Sequence, residues 1–410
     1  MFTGEKWYIL NASCNIPNML ILGIETSCDE TAVCAIDASG LFEDGSFTFS
    51  ILGNSLLSQA DKHAKYGGVY PNLAKREHAR NLVPILQTAL GEAGMLEKGE
   101  GVKIKKEKIE EARNATEREP ELFANLLLFI AQYKKPNIDA IAVTVGPGLE
   151  PALWVGINFA RALSCVWDIP VTPVNHMEGH VVISALFGKE TSGKEVAFPA
   201  LALLISGGHT ELVYMDTWGA YRKIGETRDD AVGEAFDKVA RLLGLPYPGG
   251  PEISRLARKA REANMAQPFA LPRPMLSSNN TDFSFSGLKT AVLKIVEGLG
   301  ELSDMQKSQL SREFEDSVSD IFVSKVRTAL IDTGARTLII GGGVSANAHL
   351  REKLAELLQV EFSDTTLLLP PPQYATDNAL MIALAGYFHA ARGVYADIMT
   401  LRANGNLSLS

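Results

Sequence analysis

One order of apolar runs and glycine turns occurs twice along this chain, and it restricts the possible folds more than any other feature. Residues 19–37 read as a strand, a polar turn and a second strand, and the apolar run 139–149 ends in Gly-Pro-Gly before a helical segment. The same order returns at 198–216 and 335–358. Paired apolar runs joined by short polar turns are typical of β-hairpins, and an aliphatic run that enters a helix through glycines is typical of α/β units. We therefore predict two α/β lobes with a cleft between them.

The overall charge limits which partners the surface can bind. The 410 residues include 39 Lys and Arg against 48 Asp and Glu, a net charge of −9 at pH 7. Binding of nucleic acid would therefore depend on a local basic surface. Four cysteines, at positions 14, 28, 34 and 165, form no C-x-x-C pair, which favours a reduced compartment without structural disulfides. No apolar run approaches the roughly 18 residues that a membrane span needs.

Two segments differ in composition from the rest. Residues 1–18 resemble neither a secretory signal nor an Arg-rich transit peptide, so we predict an N-terminal tail, with Met19 as a plausible translation start. The segment 94–121 is dense in charge and poor in apolar residues, which predicts an insertion or a solvated helix without a chemical role. The remaining predicted boundaries are lobe I at 19–175, lobe II at 176–392 and a C-terminal tail at 393–410.

Two glycine turns are candidates for binding an anion. Gly207 and Gly208 lie at the tip of the hairpin LISGGHTEL, where glycine serves either close approach to a ligand, with φ > 0 accessible, or tight turn geometry alone. In GGGVSAN, at 341–347, three glycines connect a β run to a helix, whose N-terminal N–H groups attract anions. Neither turn is a P-loop. Two such turns facing one cleft suggest a nucleotide without identifying it.

The stretch VNHMEGH places two histidines four residues apart. On a helix, His176 and His180 share one face, so both imidazoles can reach a single ion; a solvated helix start explains the spacing as well. Glu178 lies two residues from each histidine and points elsewhere on the helix. The H-E-x-x-H arrangement of a zinc protease is therefore absent from this stretch.

Nine motifs occur in an order that resembles one family. They read GIETSCDET, KYGGVYPNLAKREH, VTVGPGL, VNHMEGH, LISGGHTELV, GEAFDKVARLLGLPYPGGP, FSFSGLKTA, GGGVSANAHLR and ATDNALMIALAG. From about Leu20 to Arg392 the chain resembles the TsaD family of tRNA N6-adenosine threonylcarbamoyltransferases, formerly labelled O-sialoglycoprotein endopeptidases. The resemblance implies a two-lobed α/β fold of the actin/Hsp70/sugar-kinase (ASKHA) class, with duplicated mixed-sheet lobes around a central cleft. It also implies transfer of threonylcarbamoyl from its adenylate to adenosine 37 of tRNAs that read ANN codons, with release of AMP.

By this resemblance, His176 and His180 bind one divalent metal ion and Asp377 is the third ligand. Asp377 precedes the apolar helix NALMIALAGYF, so it is also expected to cap that helix, and a carboxylate can be ligand and cap at once. Two imidazoles and one carboxylate leave positions open for substrate, the pattern of a catalytic metal. Iron(II) is favoured and zinc is compatible.

The resemblance also implies a set of residues that bind the adenylate. They are Leu204, Ile205, Ser206, Gly207, Gly208, Asp237, Gly250, Ser254, Asn347 and Thr376. The phosphate is expected at the Ser206–Gly208 turn, and Asp237 is expected to bind the ribose hydroxyls, although an exposed helix residue explains Asp237 without the family. Ser254 stands where some relatives carry Glu, which leaves its ribose contact open. His209 is either close to the developing charge or structural.

The basic stretch 61–80 is the candidate tRNA surface. Its cations are Lys62, Lys65, Lys75, Arg76 and Arg80, with tyrosines between them; an amphipathic helix with a solvated basic face explains part of it as well. Bacterial relatives work with a paralogous pseudo-enzyme subunit and a small ATPase, and mitochondrial relatives act as homodimers. The absence of a convincing targeting signal favours the bacterial, cytoplasmic case.

Three rival functions follow from the same residues. A metalloprotease would need a general-base glutamate beside a metal-bound histidine. A kinase of this fold class would use an aspartate in the first phosphate turn, which here reads Glu25-Thr26-Ser27-Cys28-Asp29. A non-enzymatic scaffold would lack the histidine pair. Cys28 has no indicated histidine partner and is interpreted as a small packed residue.

Overall fold

The computed structural model describes residues 18–99 and 104–409. Residues 1–17 of the predicted tail and residues 100–103 of the charged segment therefore lie outside the described part of the chain. Within the described part, the chain forms two five-stranded sheets and thirteen α-helices. None of these helices combines the length and the apolar character that crossing a lipid bilayer requires.

The first sheet is built mainly from the N-terminal part of the chain. Its strands are β1 Met19–Glu25, β2 Glu30–Ser39, β3 Thr48–Ser58, β4 Ala140–Gly146 and β5 Val171–Asn175. They lie in the order β3-β2-β1-β4-β5, with β1 to β3 antiparallel and with β4 and β5 parallel to β1. The central strands are apolar on both faces because helices cover both sides of the sheet. The predicted hairpin at 19–37 and the strand at 139–149 are confirmed.

The second sheet repeats this connectivity. Its strands are β6 Ala200–Ile205, β7 Thr210–Thr217, β8 Ala220–Glu226, β9 Thr337–Gly341 and β10 Thr366–Leu368. They lie in the order β10-β9-β6-β7-β8, with β6 to β8 antiparallel and with β9 and β10 parallel to β6. Two mixed sheets of one connectivity confirm the predicted duplicated α/β fold. A three-residue edge strand, β10, follows the predicted strand β9.

The helices fill the connections between strands. They are α1 Ala60–Ala64, α2 Pro71–Glu92, α3 Lys106–Ala115, α4 Pro120–Gln132, α5 Glu150–Trp167, α6 His176–Ser192, α7 Val232–Leu242, α8 Gly249–Glu262, α9 Ser286–Leu299, α10 Asp304–Thr333, α11 Ala348–Glu361, α12 Pro372–Ala375 and α13 Ala379–Ala391. The side chains of Asn175, Asn347 and Asn378 cap α6, α11 and α13 by accepting backbone N–H bonds. These caps fix where three helices near the cleft begin.

Helices α6 and α13 form a layer between the two sheets. α13 packs on β1, β2, β4 and β5 of the first sheet, and α6 packs on α13 and on β9 and β10 of the second. Close approach requires glycine here, because a β-carbon at Gly386 would collide with Ala142 of β4. α13 thus joins the core of the first sheet, although the predicted lobe II, 176–392, included it. The layer brings the start of α6 next to the start of α13.

The charged segment is only partly solvated. Its described part contains α3, which packs on α5 and buries Ala112 and Ala115. Glu119, after α3, is also buried; it accepts a hydrogen bond from Asn158 of α5 and pairs with Lys75 of α2. α3 therefore rests on the first lobe along one face, and the predicted insertion behaves as an amphipathic helix rather than a free solvated one.

Candidate metal and nucleotide site

The histidine pair lies in the first two turns of α6. Asn175 caps the helix by accepting hydrogen bonds from the N–H groups of Met177 (2.8 Å) and Glu178 (3.4 Å). His176 is therefore the first helical residue, and His180 follows one turn later on the same face. Their ring centroids are 4.8 Å apart and both side chains are buried. This is the shared face that the spacing predicted.

Asp377 meets both imidazoles. Its Oδ1 lies 3.3 Å from His176 Nε2 and 3.1 Å from His180 Nε2, and one donor atom from each of the three residues falls within 4.8 Å of the others. The expectation that Asp377 caps the following helix is wrong: Asn378 caps α13, accepting the N–H of Met381 at 3.1 Å. The cap one residue later leaves the carboxylate of Asp377 directed at the histidines.

Glu25 completes the group, and the sequence analysis did not select it for this role. This buried residue at the end of β1 has Oε2 3.0 Å from His176 Nδ1 and accepts a hydrogen bond from Thr144 Oγ1 at 2.6 Å. The backbone N–H of Ser27 donates to its other oxygen. With Nδ1 of His176 engaged by Glu25, Nε2 is oriented toward Asp377. The feature of the sequence that could have identified Glu25 is a carboxylate at the end of an otherwise apolar strand.

The electrostatics favour ionised carboxylates. Burial by itself would raise the pKa of Asp377, but the charge and hydrogen bond of His176 and the hydrogen bond of His180 lower that pKa far below its usual range. For His176, burial disfavours the charged form, yet Asp377 and Glu25 raise its pKa well above the ordinary value. Burial lowers the pKa of His180. A positive charge at this position is thus strongly favoured.

The donor set fits a divalent metal ion. Two imidazole nitrogens and a carboxylate oxygen are ligands that iron(II) and zinc accept, and a carboxylate behind one histidine is the common outer partner of such ligands. His176 and Asp377 also line the cleft, so a bound ion would keep positions open to substrate. His180 Nε2 lies 3.1 Å from Asp377 Oδ1, so it is the nitrogen that His180 directs at the position of an ion, while Nδ1 is buried without a hydrogen-bond partner among the described residues.

A cavity of about 1210 Å³ extends from these residues between the lobes. Its wall includes the turn Ser206, Gly207 and Gly208, where a β-carbon at either glycine would face open space. Ser206 Oγ accepts the N–H of His209 at 3.1 Å, which closes the turn. Neither glycine needs a positive φ, so their small size, and not their backbone freedom, keeps the turn open to a ligand.

Two predicted residues lie behind this turn. Leu204 and Ile205 end β6 with fully buried side chains, and their backbones pair with β7; neither side chain lines the cavity. The second glycine turn does reach the cavity, through Gly343, Val344 and Asn347. The predicted order of strand, glycine turn and helix is confirmed, and the turn between β9 and α11 includes a short 3-10 helix, Gly343–Ala346.

The remaining predicted residues also line the cavity. Asp237 Oδ1 accepts the N–H of Gly249 at 2.7 Å, and burial raises its pKa. A β-carbon at Gly250 would face open space, as backbone packing against a ligand requires. Ser254 Oγ accepts from Asn347 Nδ2 at 2.9 Å. Thr376 lines the cavity beside Asp377.

The side-chain polar atoms of Asn347 already form hydrogen bonds within the protein. Its Oδ1 accepts the N–H of Leu350 at 2.9 Å, and its Nδ2 donates to Ser254 and, at 2.7 Å, to Glu315. Glu315, which the sequence analysis missed, is buried on α10 and pairs with Arg261 at 2.5 Å. No local pattern distinguishes Glu315 from the other acidic residues of α10. The polar atoms of Asn347 thus connect α8, α10 and α11 at this part of the cavity wall.

The basic stretch 61–80 and Cys28 are less available for binding and catalysis than the sequence suggests. In the basic stretch, Lys62 pairs with Glu77, and Lys75 pairs with the buried Glu119 at 3.1 Å. Cys28 is half-buried and lines the cavity, but desolvation raises the pKa of its thiol well above the ordinary value, which disfavours a thiolate nucleophile.

The model of one protein family matches most of the chain. The TsaD family, described as tRNA N6-adenosine threonylcarbamoyltransferase, matches residues 50–99 and 110–384. The chain belongs to the TsaD family. This is a family of tRNA-modifying transferases. The match leaves out residues 1–49 and 385–410 and has one internal gap, residues 100–109, which falls within the charged segment 94–121.

Solved structures with a similar arrangement are distant in sequence. Full-length HypF in its phosphate- and nucleotide-bound form is 13% identical over 93% of this chain and 47% of that one, with a TM-score of 0.48. HypF from T. kodakarensis is 11% identical over 94% and 50%, with a TM-score of 0.49. The activator of the 2-hydroxyisocaproyl-CoA dehydratase from Clostridium difficile, with bound ADPNP, is 12% identical over 92% and 97%, with a TM-score of 0.43. The chain spans about half the length of the HypF chains.

Proposed function

We propose that this protein transfers the threonylcarbamoyl group from threonylcarbamoyl-adenylate to N6 of adenosine 37 in tRNAs that read ANN codons, and releases AMP. The observation that carries the proposal is the convergence of His176, His180 and Asp377 at one end of a large interlobe cavity, in a chain of the TsaD family. The other end offers the carboxylate, glycine and hydroxyl groups that suit a nucleotide.

The proposed reaction replaces the C–O bond between the carbamoyl carbon and the phosphate with a C–N bond. The N6 amine attacks the carbamoyl carbon, the C–O bond breaks, AMP leaves with the electron pair, and N6 releases one proton to solvent. A divalent ion, iron(II) in preference to zinc, would polarise the carbonyl and help to hold the threonyl group. Glu25 keeps the Nε2 of His176 directed at Asp377, so the site is held in place before substrate arrives.

Residues along the cavity account for binding of the nucleotide. The Ser206–Gly208 turn, supported from behind by Leu204 and Ile205, offers space for the phosphate. Asp237 uses one oxygen for Gly249, which leaves the other for a ribose hydroxyl. Gly250 allows the nucleoside to pack against backbone. The Asn347–Ser254 pair and Thr376 contact the ligand from the two ends of the cavity.

The partners follow from the family and the charge. We propose tRNA as the substrate, and either a paralogous pseudo-enzyme subunit with a small ATPase, as in bacterial relatives, or a second copy of the chain, as in mitochondrial ones. The net charge of −9 supports a shared RNA surface, because the 48 acidic residues outnumber the 39 Lys and Arg and the chain as a whole repels a polyanion. A cytoplasmic location is proposed, with the mitochondrion as the alternative.

The rival readings have less support. Glu178 cannot serve a protease mechanism in this arrangement, because its carboxylate lies 2.9 Å from His389 Nε2 and accepts from Tyr221 at 3.1 Å. For a kinase, Glu25 occupies the first turn with its side chain bound to His176 and Thr144. Retention of the histidine pair argues against a scaffold.

The deciding experiment supplies synthetic threonylcarbamoyl-adenylate, ferrous ion and unmodified tRNA, with the paralogue and ATPase added in parallel reactions. We expect His180→Ala and Asp377→Ala to lower formation of modified adenosine at least about 100-fold while circular dichroism stays unchanged, because each removes a ligand. His389→Gln changes a partly buried histidine outside the ligand set and should keep activity near wild type. Wild-type rates in either ligand variant would refute the metal assignment.

A further inference from the structure

Two tyrosines stand exposed at the rim of the cavity. Tyr66 is 62% exposed and Tyr70 is 49% exposed, and their rings stack with centroids 5.4 Å apart and 17° between the planes. The three residues between them, Gly67, Gly68 and Val69, line the cavity itself. We call Tyr66 and Tyr70 the rim platform. It is an aromatic surface in water, directly beside the entrance to the site.

The rim platform is held in a fixed position. The N–H of Tyr66 donates to the carbonyl of His63 at 2.8 Å, and the N–H of Tyr70 donates to His63 Nδ1 at 3.1 Å. His63 is itself buried and hydrogen-bonded to Gln59 at 3.2 Å. His63 thus holds the backbone on both sides of the loop. Stacking of a ligand on the tyrosines would therefore cost little further conformational entropy.

The loop is also joined to the opposite lobe. The guanidinium of Arg241, on α7, donates to the carbonyl of Gly67 across the cleft. The same guanidinium lies near the position that a β-carbon at Gly67 would occupy. The loop that carries the rim platform therefore contacts both lobes at the edge of the cavity. A polymer that enters the cavity along this edge would meet the two tyrosines.

The surroundings of the rim platform are basic. Residues 61–80 include five Lys and Arg and two acidic residues, a net charge of +3 in a protein of −9. Lys65 and Arg76 are exposed and form no ion pair among the described residues, in contrast to Lys62 and Lys75. Free cations beside a flat aromatic surface suit a phosphodiester chain with unpaired bases.

We propose that the rim platform stacks an unpaired nucleobase of the RNA substrate that flanks the adenosine entering the cavity, with Lys65 near the backbone phosphates. The inference rests on the proposed function, and extends it to a specific contact with the RNA. Stacking is tolerant of base identity because every base has a π-face. The rim platform would thus position the RNA and would not select its sequence.

The test measures the affinity of the full-length protein for an unmodified tRNA that reads an ANN codon, at fixed salt. We expect Tyr66→Ala and Tyr70→Ala each to weaken binding about ten-fold, whereas Tyr66→Phe and Tyr70→Phe retain the affinity because the ring remains. With a tRNA made abasic on both sides of the target adenosine, the alanine variants should bind as the wild type does. Tyr395→Ala, which removes a tyrosine 43% exposed elsewhere on the first lobe, is the matched control.

Each other outcome has a definite meaning. Unchanged affinity in both alanine variants, or an equal loss on intact and abasic RNA, overturns the stacking proposal. Unchanged RNA affinity together with lost association with the paralogue, or with a second copy of the chain, assigns the tyrosines to a protein interface and also overturns it. If the wild type fails to modify tRNA although the ten-fold losses appear, the stacking proposal stands and the proposed function fails.

Discussion

The site depends on a series of four side chains: Glu25, His176, Asp377 and His180. Each neighbouring pair lies between 3.0 and 3.3 Å, and three of the four are buried below a tenth of their surface. Buried groups of opposite charge in this arrangement hold the carboxylates ionised. Glu25 contacts His176 through Nδ1, whereas Nε2 of the same ring faces Asp377. Glu25 therefore orients the metal ligand His176 and is not itself a metal ligand.

We expect Glu25→Gln to weaken binding of ferrous or zinc ion about 10- to 100-fold, because the amide loses the charge that fixes His176. Isothermal titration calorimetry of the metal measures it. Glu178→Gln is the matched control: the carboxylate belongs to the same helix as His176 but faces His389, so metal affinity should remain near wild type. Equal affinities of Glu25→Gln and the wild type would refute the orienting role.

At the scale of elements, close packing sets where α13 lies. The helix is apolar around its circumference and buries nearly all of its residues, because the first sheet covers one side and α6 the other. Gly386 permits α13 to approach β4, and Gly23 of β1 lies against Ala379 and Ala383. The position of Asp377, just before α13, follows from this contact.

Two Gly→Ala substitutions test this packing with opposite signs. Gly386→Ala should destabilise the protein by about 1 to 3 kcal/mol, because the new methyl meets Ala142 in a filled core. Gly298→Ala, in α9, meets no atom within 4 Å and should stabilise by roughly 0.5 to 1 kcal/mol through helix propensity. Urea unfolding gives both free energies. A neutral Gly386→Ala would show that α13 is loosely packed.

At the scale of the whole molecule, a second buried group links the two sheets. Glu178 of α6 contacts His389 of α13 and Tyr221 of β8, so one carboxylate joins elements on both sheets. Burial alone would lower the pKa of His389, but the charge and hydrogen bond of Glu178 raise it, against a smaller opposing effect of Arg392. For Glu178, burial opposes ionisation, while His389 and Tyr221 lower its pKa.

The shifted pKa values of His389 and Glu178 predict how the stability of the folded state depends on pH. A raised pKa of His389 in the folded state gives stability that is complete below about pH 6.5 and is lost as pH rises through the raised value. The lowered pKa of Glu178 gives stability present above about pH 4.3 and lost on acidification. We expect His389→Gln to cost about 1 to 3 kcal/mol of unfolding free energy at pH 6 and less at pH 9. Urea unfolding at the two pH values measures it, and a difference that is constant or larger at pH 9 would contradict the linkage.

Local patterns predicted the parts of this protein that depend on near neighbours. The hairpins at 19–37 and 198–216 and the shared face of His176 and His180 follow from apolar periodicity and from helical spacing. The four edge strands β3, β5, β8 and β10 were missed, because the partial exposure of β3 and β8 and the short length of β5 and β10 leave little periodic signal. The ion pairs of Lys62 with Glu77 and of Lys75 with Glu119 were not predicted, because tertiary packing determines which carboxylates lie beside these lysines.

The sequence by itself determined that two α/β lobes form, that two imidazoles share a helix face, and which family the chain resembles, because each depends on residue order or on spacing within a turn. Only the tertiary structure decided which distant groups meet. His180 and Asp377 are 197 residues apart, and Glu25 and His176 are 151 apart. No local propensity encodes such contacts. They arise because α6 and α13 must share the space between two sheets, and burying that apolar layer brings the polar ends of both helices together.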